Sequence, residues 1–286
     1  MIALKQFSLI KELGKELDKA RKKGKTIGFV PTMGSLHDGH ISLVNRSKRE
    51  NDVTVCSIFV NPVQFNNKND LEKYPRNLAQ DLTILANSGC DITFAPSVSE
   101  MYPDGLPDQF IIDFGYLERT LEGKFRRGHF KGVAIVVKKL FDIVKPHRAY
   151  FGKKDYQQLL IIRQMVERIH LPVEIIACDT VREPDGLAMS SRNLRLTIGE
   201  RNIAPAIYEM LSGVKEKTGT VSVKELKNWA VKKIQKHPEM VVEYFDLVDI
   251  ETLMPIIRWD QKDNALACKA IYLGDVRLID NIELFS

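Results

Sequence analysis

Residues 53–60 read Val-Thr-Val-Cys-Ser-Ile-Phe-Val, an almost unbroken apolar run of the kind that is buried on both faces of a sheet. A half-exposed strand would alternate polar and apolar side chains, so this run predicts a parallel sheet covered by helices on both sides. Shorter strand-like runs lie at residues 26–30, 91–95, 147–151 and 173–177. Between them come segments with helical spacing: 8–23, closed by Gly24, then about 39–50, 78–87, 132–144 and 155–169. In 132–144 the residues Val133, Val136, Val137, Leu140, Phe141 and Val144 share one face. Strands alternating with helices predict an α/β fold, an open parallel sheet with right-handed crossovers. Such sheets bind ligands beyond the carboxyl ends of their strands. Unusual sequences follow the runs at 26–30, 53–60 and 147–151, so these should converge on one crevice.

The pattern changes near residue 180. Residues 198–216 and 223–236 read as helices, and 241–249 and 265–273 as strands. Helices followed by strands predict a separate, smaller α+β unit, dividing the chain into 1–180 and 181–286. A chain of 286 residues is long enough for both.

Composition narrows the function. Apolar residues make up 44% and charged residues 28%, as in globular proteins. No apolar run approaches the roughly 18–20 residues that cross a bilayer, so no membrane association is expected. The first residues lack a basic stretch followed by an apolar core, the mark of a secretory signal. Cys56, Cys90, Cys178 and Cys268 are widely separated, with no zinc-type spacing. They read as small buried residues in a reducing compartment, which points to the cytoplasm. The net charge is +5, but the lysines of 11–25 and 215–236 alternate with glutamates and apolar residues, as on solvated helix faces. No nucleic-acid partner is expected; the excess charge suits anionic substrates.

Residues 31–40 read Pro-Thr-Met-Gly-Ser-Leu-His-Asp-Gly-His. Gly34 and Gly39 let backbone approach a nucleotide closely, and the helix beginning near Gly39 offers free N–H groups to an anion. His37 and His40 can then stabilise charge developing on phosphorus. Their His-x-Gly-His spacing resembles the signature of nucleotidyltransferase-fold enzymes, which transfer or release an adenylate. After the 53–60 strand, Asn61 and Gln64 carry donors and acceptors suited to a small polar acid, although Pro62 also fits a plain polar turn. In Phe151-Gly152-Lys153-Lys154-Asp155-Tyr156-Gln157-Gln158, lysine offers a point charge to phosphate. Asp155 there can accept from ribose hydroxyls or cap its helix. Met189-Ser190-Ser191-Arg192-Asn193 can clamp a polyphosphate or be an ordinary surface loop. His129 in Arg127-Gly128-His129-Phe130 is a further anion contact, whereas His147, His170 and His237 read as structural. Residues 73–76 read as a rigid turn. Asp81 is either a magnesium ligand or solvated helix surface.

Taken in order, these four segments resemble the pantoate–β-alanine ligase family, and the likeness runs the length of the chain. The resemblance implies an enzyme that joins pantoate to β-alanine using ATP and magnesium. Pantoate is adenylated with loss of pyrophosphate, and β-alanine then displaces AMP. It also implies a cytoplasmic homodimer, with a Rossmann-like domain and a smaller C-terminal domain covering the site. By position, Met33, Gly34, Ser35, Leu36, His37, Asp38, Gly39 and His40 would cradle ATP, His40 acting as the family's proton donor. Gly152, Lys153, Lys154, Asp155, Val181, Met189, Ser190, Ser191 and Arg192 would also bind the nucleotide. Gln64 and Gln158 would hold pantoate, Gln64 lying against β-alanine as well, with Asn61, Pro31, Met33 and His129 nearby. His40, His37, Lys154 and Arg192 would offset the repulsion between a carboxylate and the α-phosphate. Lys153 stands where the family commonly has glutamate. Rival readings are a nucleotidyltransferase that keeps AMP in its product, a fragment of a class I aminoacyl-tRNA synthetase, and a nucleotide sensor without turnover.

Overall fold

Six strands form one fully parallel sheet: β1 (Lys5–Phe7), β2 (Ile27–Thr32), β3 (Val53–Ile58), β4 (Ile92–Phe94), β5 (Arg148–Gly152) and β6 (Glu174–Cys178). The computed structural model describes residues 4–107, 112–259 and 264–285. Strand order is β1-β4-β3-β2-β5-β6. The chain moves outward from β2 through β3 to β4, then returns to lay β5 on the other side of β2. Between β2 and β5 the order reverses, and at such a switch point the flanking loops part to leave a crevice.

Alternate residues of each strand face opposite layers. Ile27 and Phe29 of β2 join Val55, Phe94 and Phe151 in a core closed by the apolar face of helix His129–Val144. Val30, Cys56 and Tyr150 point the other way, against Leu43 and Val44 of helix Asp38–Glu50. Each such large side chain contributes about 1.5–3 kcal/mol on burial. All four cysteines are free and buried, as expected.

The second unit has its own core. Strands β7 (Met240–Asp249), β8 (Ala265–Leu273) and β9 (Val276–Glu283) form an antiparallel sheet. Helices Ala206–Lys217 and Val223–Ile234 pack Ile207, Leu211, Leu226 and Ile234 onto its Leu247, Ile271 and Leu278. An apolar seam of Leu121, Leu160, Val248 and Leu266 joins the units. Among the described residues no helix is long and apolar enough to cross a membrane.

The structure departs from the sequence pattern at several places. β1 is a three-residue edge strand, too short to show a period. β9 loses its alternation at Asp280-Asn281, both buried for polar reasons given below. The helix expected over 198–216 is two helices, Ile198–Ile203 and Ala206–Lys217, because Pro205 has no N–H to donate. Asp155 stands at the N-cap position of helix Tyr156–Arg168, but its side chain makes no capping bond.

Candidate active site

The loop after β2 is held from below. Thr32 donates its hydroxyl to the Ser57 carbonyl (2.6 Å) and accepts the Gly34 N–H (3.2 Å). Gly34 has a φ of 82°, and a Cβ there would lie 2.9 Å from the Asp81 carboxylate, so glycine is required. Asp81 accepts the N–H groups of Ser35 (2.9 Å) and Leu36 (2.8 Å). It is only 2% exposed and does not line the crevice. Anchoring this loop therefore replaces both roles expected of Asp81, magnesium ligand and solvated helix surface. Gly34, Ser35, Leu36 and Asp38 do not line the crevice either, in contrast to Met33, His37, Gly39 and His40. The Ser35 carbonyl instead accepts from the Ser191 hydroxyl (2.9 Å), tying this loop to the 189–193 segment.

His37 caps helix Asp38–Glu50. Its Nδ1 accepts the Gly39 N–H (3.2 Å), while His40 Nδ1 accepts the His37 N–H (3.3 Å). A ring accepting at Nδ1 carries its proton on Nε2 when neutral, so each keeps an Nε2–H donor. The ring centroids lie 4.1 Å apart. Burial lowers the His37 pKa to about 4, helped by Lys154. Burial lowers His40 to about 3, helped by His37 and Lys154. Both rings are thus neutral near pH 7. In this state each ring presents an Nε2–H as a hydrogen-bond donor.

The second wall comes from the end of β5, where Gly152, Lys154, Asp155 and Gln158 line the crevice. Lys154 lies 3.5 Å from the Asp155 carboxylate. Lys153 turns away: its ammonium pairs with Asp179 and Glu283, each at 3.0 Å, and it does not line the crevice. These pairs draw its side chain away from the crevice, where the sequence places it on the nucleotide, and fasten β5 to β9. Asn281 reinforces this junction, donating to the carbonyls of Lys153 (2.9 Å) and Lys154 (2.8 Å). Val181, Met189, Ser190, Ser191 and Arg192 form the third wall. Arg192 is paired with Asp70 at 2.8 Å, and Arg195 holds the other oxygen at 3.1 Å.

Gln64 and Gln158 line the same crevice beside Pro31 and Met33. Asn61 is fully buried, donating to Gln64 Oε1 (3.2 Å) and the Gly132 carbonyl (3.1 Å) and accepting from the Tyr102 hydroxyl (2.9 Å). His129 places Nδ1 2.8 Å from the Gln64 carbonyl and Nε2 3.0 Å from Arg126. Asn61 and His129 were expected to touch substrate; the structure puts both behind Gln64, where they fix its side chain and backbone. Gly132 completes the frame, since a Cβ there would meet the Val63 carbonyl at 2.5 Å. Gly132, Tyr102 and Asp70 escape sequence reasoning. The one signal was a glycine inside an otherwise apolar helix face, a common mark of close packing.

A switch-point crevice with cations at one end and amides at the other defines a nucleotide-dependent α/β enzyme. A family model described as pantoate-beta-alanine ligase matches residues 5–283. The pantothenate synthetase of Porphyromonas gingivalis is 48% identical over 277 residues, covering 97% of this chain and 98% of the relative. That of Bacteroides fragilis is 49% identical, covering 98% and 99%. Among solved structures, pantothenate synthetase from Thermus thermophilus superposes with a TM-score of 0.92 at 43% identity, covering 99% and 100%. Pantoate-beta-alanine ligase from Francisella tularensis, complexed with beta-gamma ATP and beta-alanine, gives 0.82 at 41% identity, covering 98% and 97%. The chain belongs to the pantoate–β-alanine ligase family.

Proposed function

We propose that this one crevice carries both half-reactions of the family. The chain is an AMP-forming ligase that condenses (R)-pantoate with β-alanine through pantoyl adenylate. One observation carries the assignment of the site: Gln64 and Gln158 share a single cavity with His37, His40, Lys154 and Arg192. The beta-gamma ATP and beta-alanine held by the Francisella tularensis relative support ATP and β-alanine as substrates here.

ATP lies with its phosphates over the N-terminus of helix Asp38–Glu50, toward Lys154 and the 189–193 segment, where anions are favoured. Gln64 and Gln158 hold pantoate so that a carboxylate oxygen faces the α-phosphorus. That oxygen attacks, the bond from phosphorus to the bridging oxygen breaks, and pyrophosphate leaves. The Nε2–H groups of His37 and His40, with Lys154 and Arg192, stabilise the charge gathering on the phosphoryl oxygens. Anionic phosphate raises the affinity of both rings for protons, so a ring that is neutral when free can become cationic beside ATP. In the second half-reaction the β-alanine amine attacks the acyl carbon, the bond from that carbon to the AMP oxygen breaks, AMP departs, and the nitrogen loses its proton to solvent. The amine needs placement more than activation, because the adenylate is already a good leaving group.

Magnesium accompanies ATP in this reading. Among the described residues no group of three or more His, Cys, Asp or Glu could hold a metal. The donors therefore fit an ion that would arrive with the nucleotide rather than one held by the protein alone. When bound, it would neutralise phosphate charge. Two separate cores support a division into 1–180 and 181–286, the second unit excluding water from the adenylate. A homodimer in the cytoplasm rests on family likeness.

Pantoate labelled with ¹⁸O in its carboxylate tests the chemistry. One label should appear in AMP. Label in pyrophosphate and none in AMP would mean that the acyl group is activated at another phosphorus.

A further inference from the structure

We infer that the charged cavity between the two units is a receiving site for pyrophosphate, beyond the ATP crevice; this rests on the functional reading above. The cavity, of about 430 Å³, adjoins the crevice through Lys154, Asp155, Ser190 and Arg192, which line both. It therefore begins where the leaving group is freed.

Seven of its lining residues are Lys or Arg and five are Asp or Glu. Most of the carboxylates are already engaged. Glu243 is taken by Arg277 (2.5 Å), Asp280 by Arg182 (2.7 Å), and Asp70 is shared by Arg192 and Arg195. Two largely buried cations are left over. Arg126 has its nearest carboxylate, Glu122, at 3.8 Å, and Glu122 is already held by Arg277 (2.7 Å) and the Tyr244 hydroxyl (2.8 Å). Lys269 is 1% exposed and donates to the Leu278 carbonyl (3.2 Å), with no ion pair among the described residues.

A buried cation without a bonded carboxylate is costly, and two at one cavity amount to an unmet demand for an anion. The charged groups acting on Lys269 are Asp280, its cross-strand partner on β9, and Lys154, Arg277 and Arg182. Burial outweighs the help of Asp280, with the three cations adding to it, and lowers Lys269 to about 7. Burial lowers Arg126 to about 10, with Arg192 and Arg277 contributing. An arriving pyrophosphate would restore full charge to Lys269. Movement into this cavity separates pyrophosphate from the pantoyl adenylate and so slows reversal.

Inorganic pyrophosphate is titrated calorimetrically into the full-length protein without ATP or pantoate, for the wild type, Lys269→Met and Arg195→Gln. Methionine keeps the volume of lysine and removes only the buried charge. The expected result is pyrophosphate binding about tenfold weaker in each variant, with the Michaelis constant for ATP changed by less than about twofold. Unchanged pyrophosphate affinity in both variants, or equal weakening toward ATP, would overturn the proposal. So would orthophosphate binding as tightly as pyrophosphate with the same sensitivity, which describes a general anion site. If Lys269→Met does not fold, Arg195→Gln decides the matter. Because the titration uses no other substrate, its failure is distinct from failure of the functional reading, which pantoate-dependent exchange in the wild type tests separately.

Discussion

The Asp70 carboxylate, just outside the crevice, holds the Arg192 guanidinium at 2.8 Å. Burial opposes ionisation of Asp70, but the charge and hydrogen bond of Arg192 together with the charges of Arg126 and Arg195 outweigh it, and its pKa lies below the ordinary carboxylate range. Phosphate oxygens must take over this partner. Arg192→Lys should lower turnover by at least about tenfold although charge is kept, because lysine lacks the planar fork. ATP should also increase hydrogen-exchange protection across residues 186–196. Wild-type turnover together with unchanged protection would make the segment an ordinary surface loop.

His40→Ala should slow adenylation by roughly 10²–10³ with little change in pantoate binding, since an Nε2–H aimed at developing charge acts chiefly in the transition state. Rapid-quench single-turnover measurement of pantoyl adenylate is the check. A folded variant with near-normal adenylation would remove His40 from the chemistry.

Gln64→Ala and Gln158→Ala should each raise the Michaelis constant for pantoate about tenfold or more and leave that for ATP almost unchanged. Asn61→Ala should give the same selective pattern, despite lying outside the crevice, because it holds Gln64 Oε1. Equal losses toward both substrates would show general damage to the fold.

Stability should fall on acidification before the carboxylates titrate. Burial depresses His37 to about 4 and His40 and His129 to about 3, below their ordinary 6.5. From about pH 6.5 downward the unfolded chain therefore binds more protons than the folded one, so stability rises with pH through this window and levels off above it. Each histidine contributes at most about 1.4 kcal/mol per pH unit. Glu122 and Asp70, held low by arginines despite burial, lose their contribution only at lower pH. Urea melts from pH 7 to 5 should show the slope, and His37→Asn, which can still cap the helix, should reduce it. A flat wild-type profile would mean that these rings take up protons as readily in the fold as in the unfolded chain.

The sheet and its crevice were readable because buried parallel strands announce themselves as apolar runs and glycine-rich loops follow them. The residues that touch the crevice, such as His40, Lys154, Gln64 and Arg192, lie in those loops and were readable for the same reason. The residues behind them were not. Asp81 and Asn61 look like surface polar residues until a fold buries them beneath Ser35 and Gln64. Lys153 looks like a phosphate ligand until Asp179 and Glu283, distant in sequence, draw it aside. Long-range pairing leaves no local period, so only the structure could place them.

Exchange of labelled pyrophosphate into ATP, without β-alanine, tests the central claim most directly. Exchange should require pantoate and be lost in His40→Ala. Equal exchange with unrelated carboxylates, or exchange only when β-alanine is present, would contradict the assignment of pantoate adenylation to this crevice.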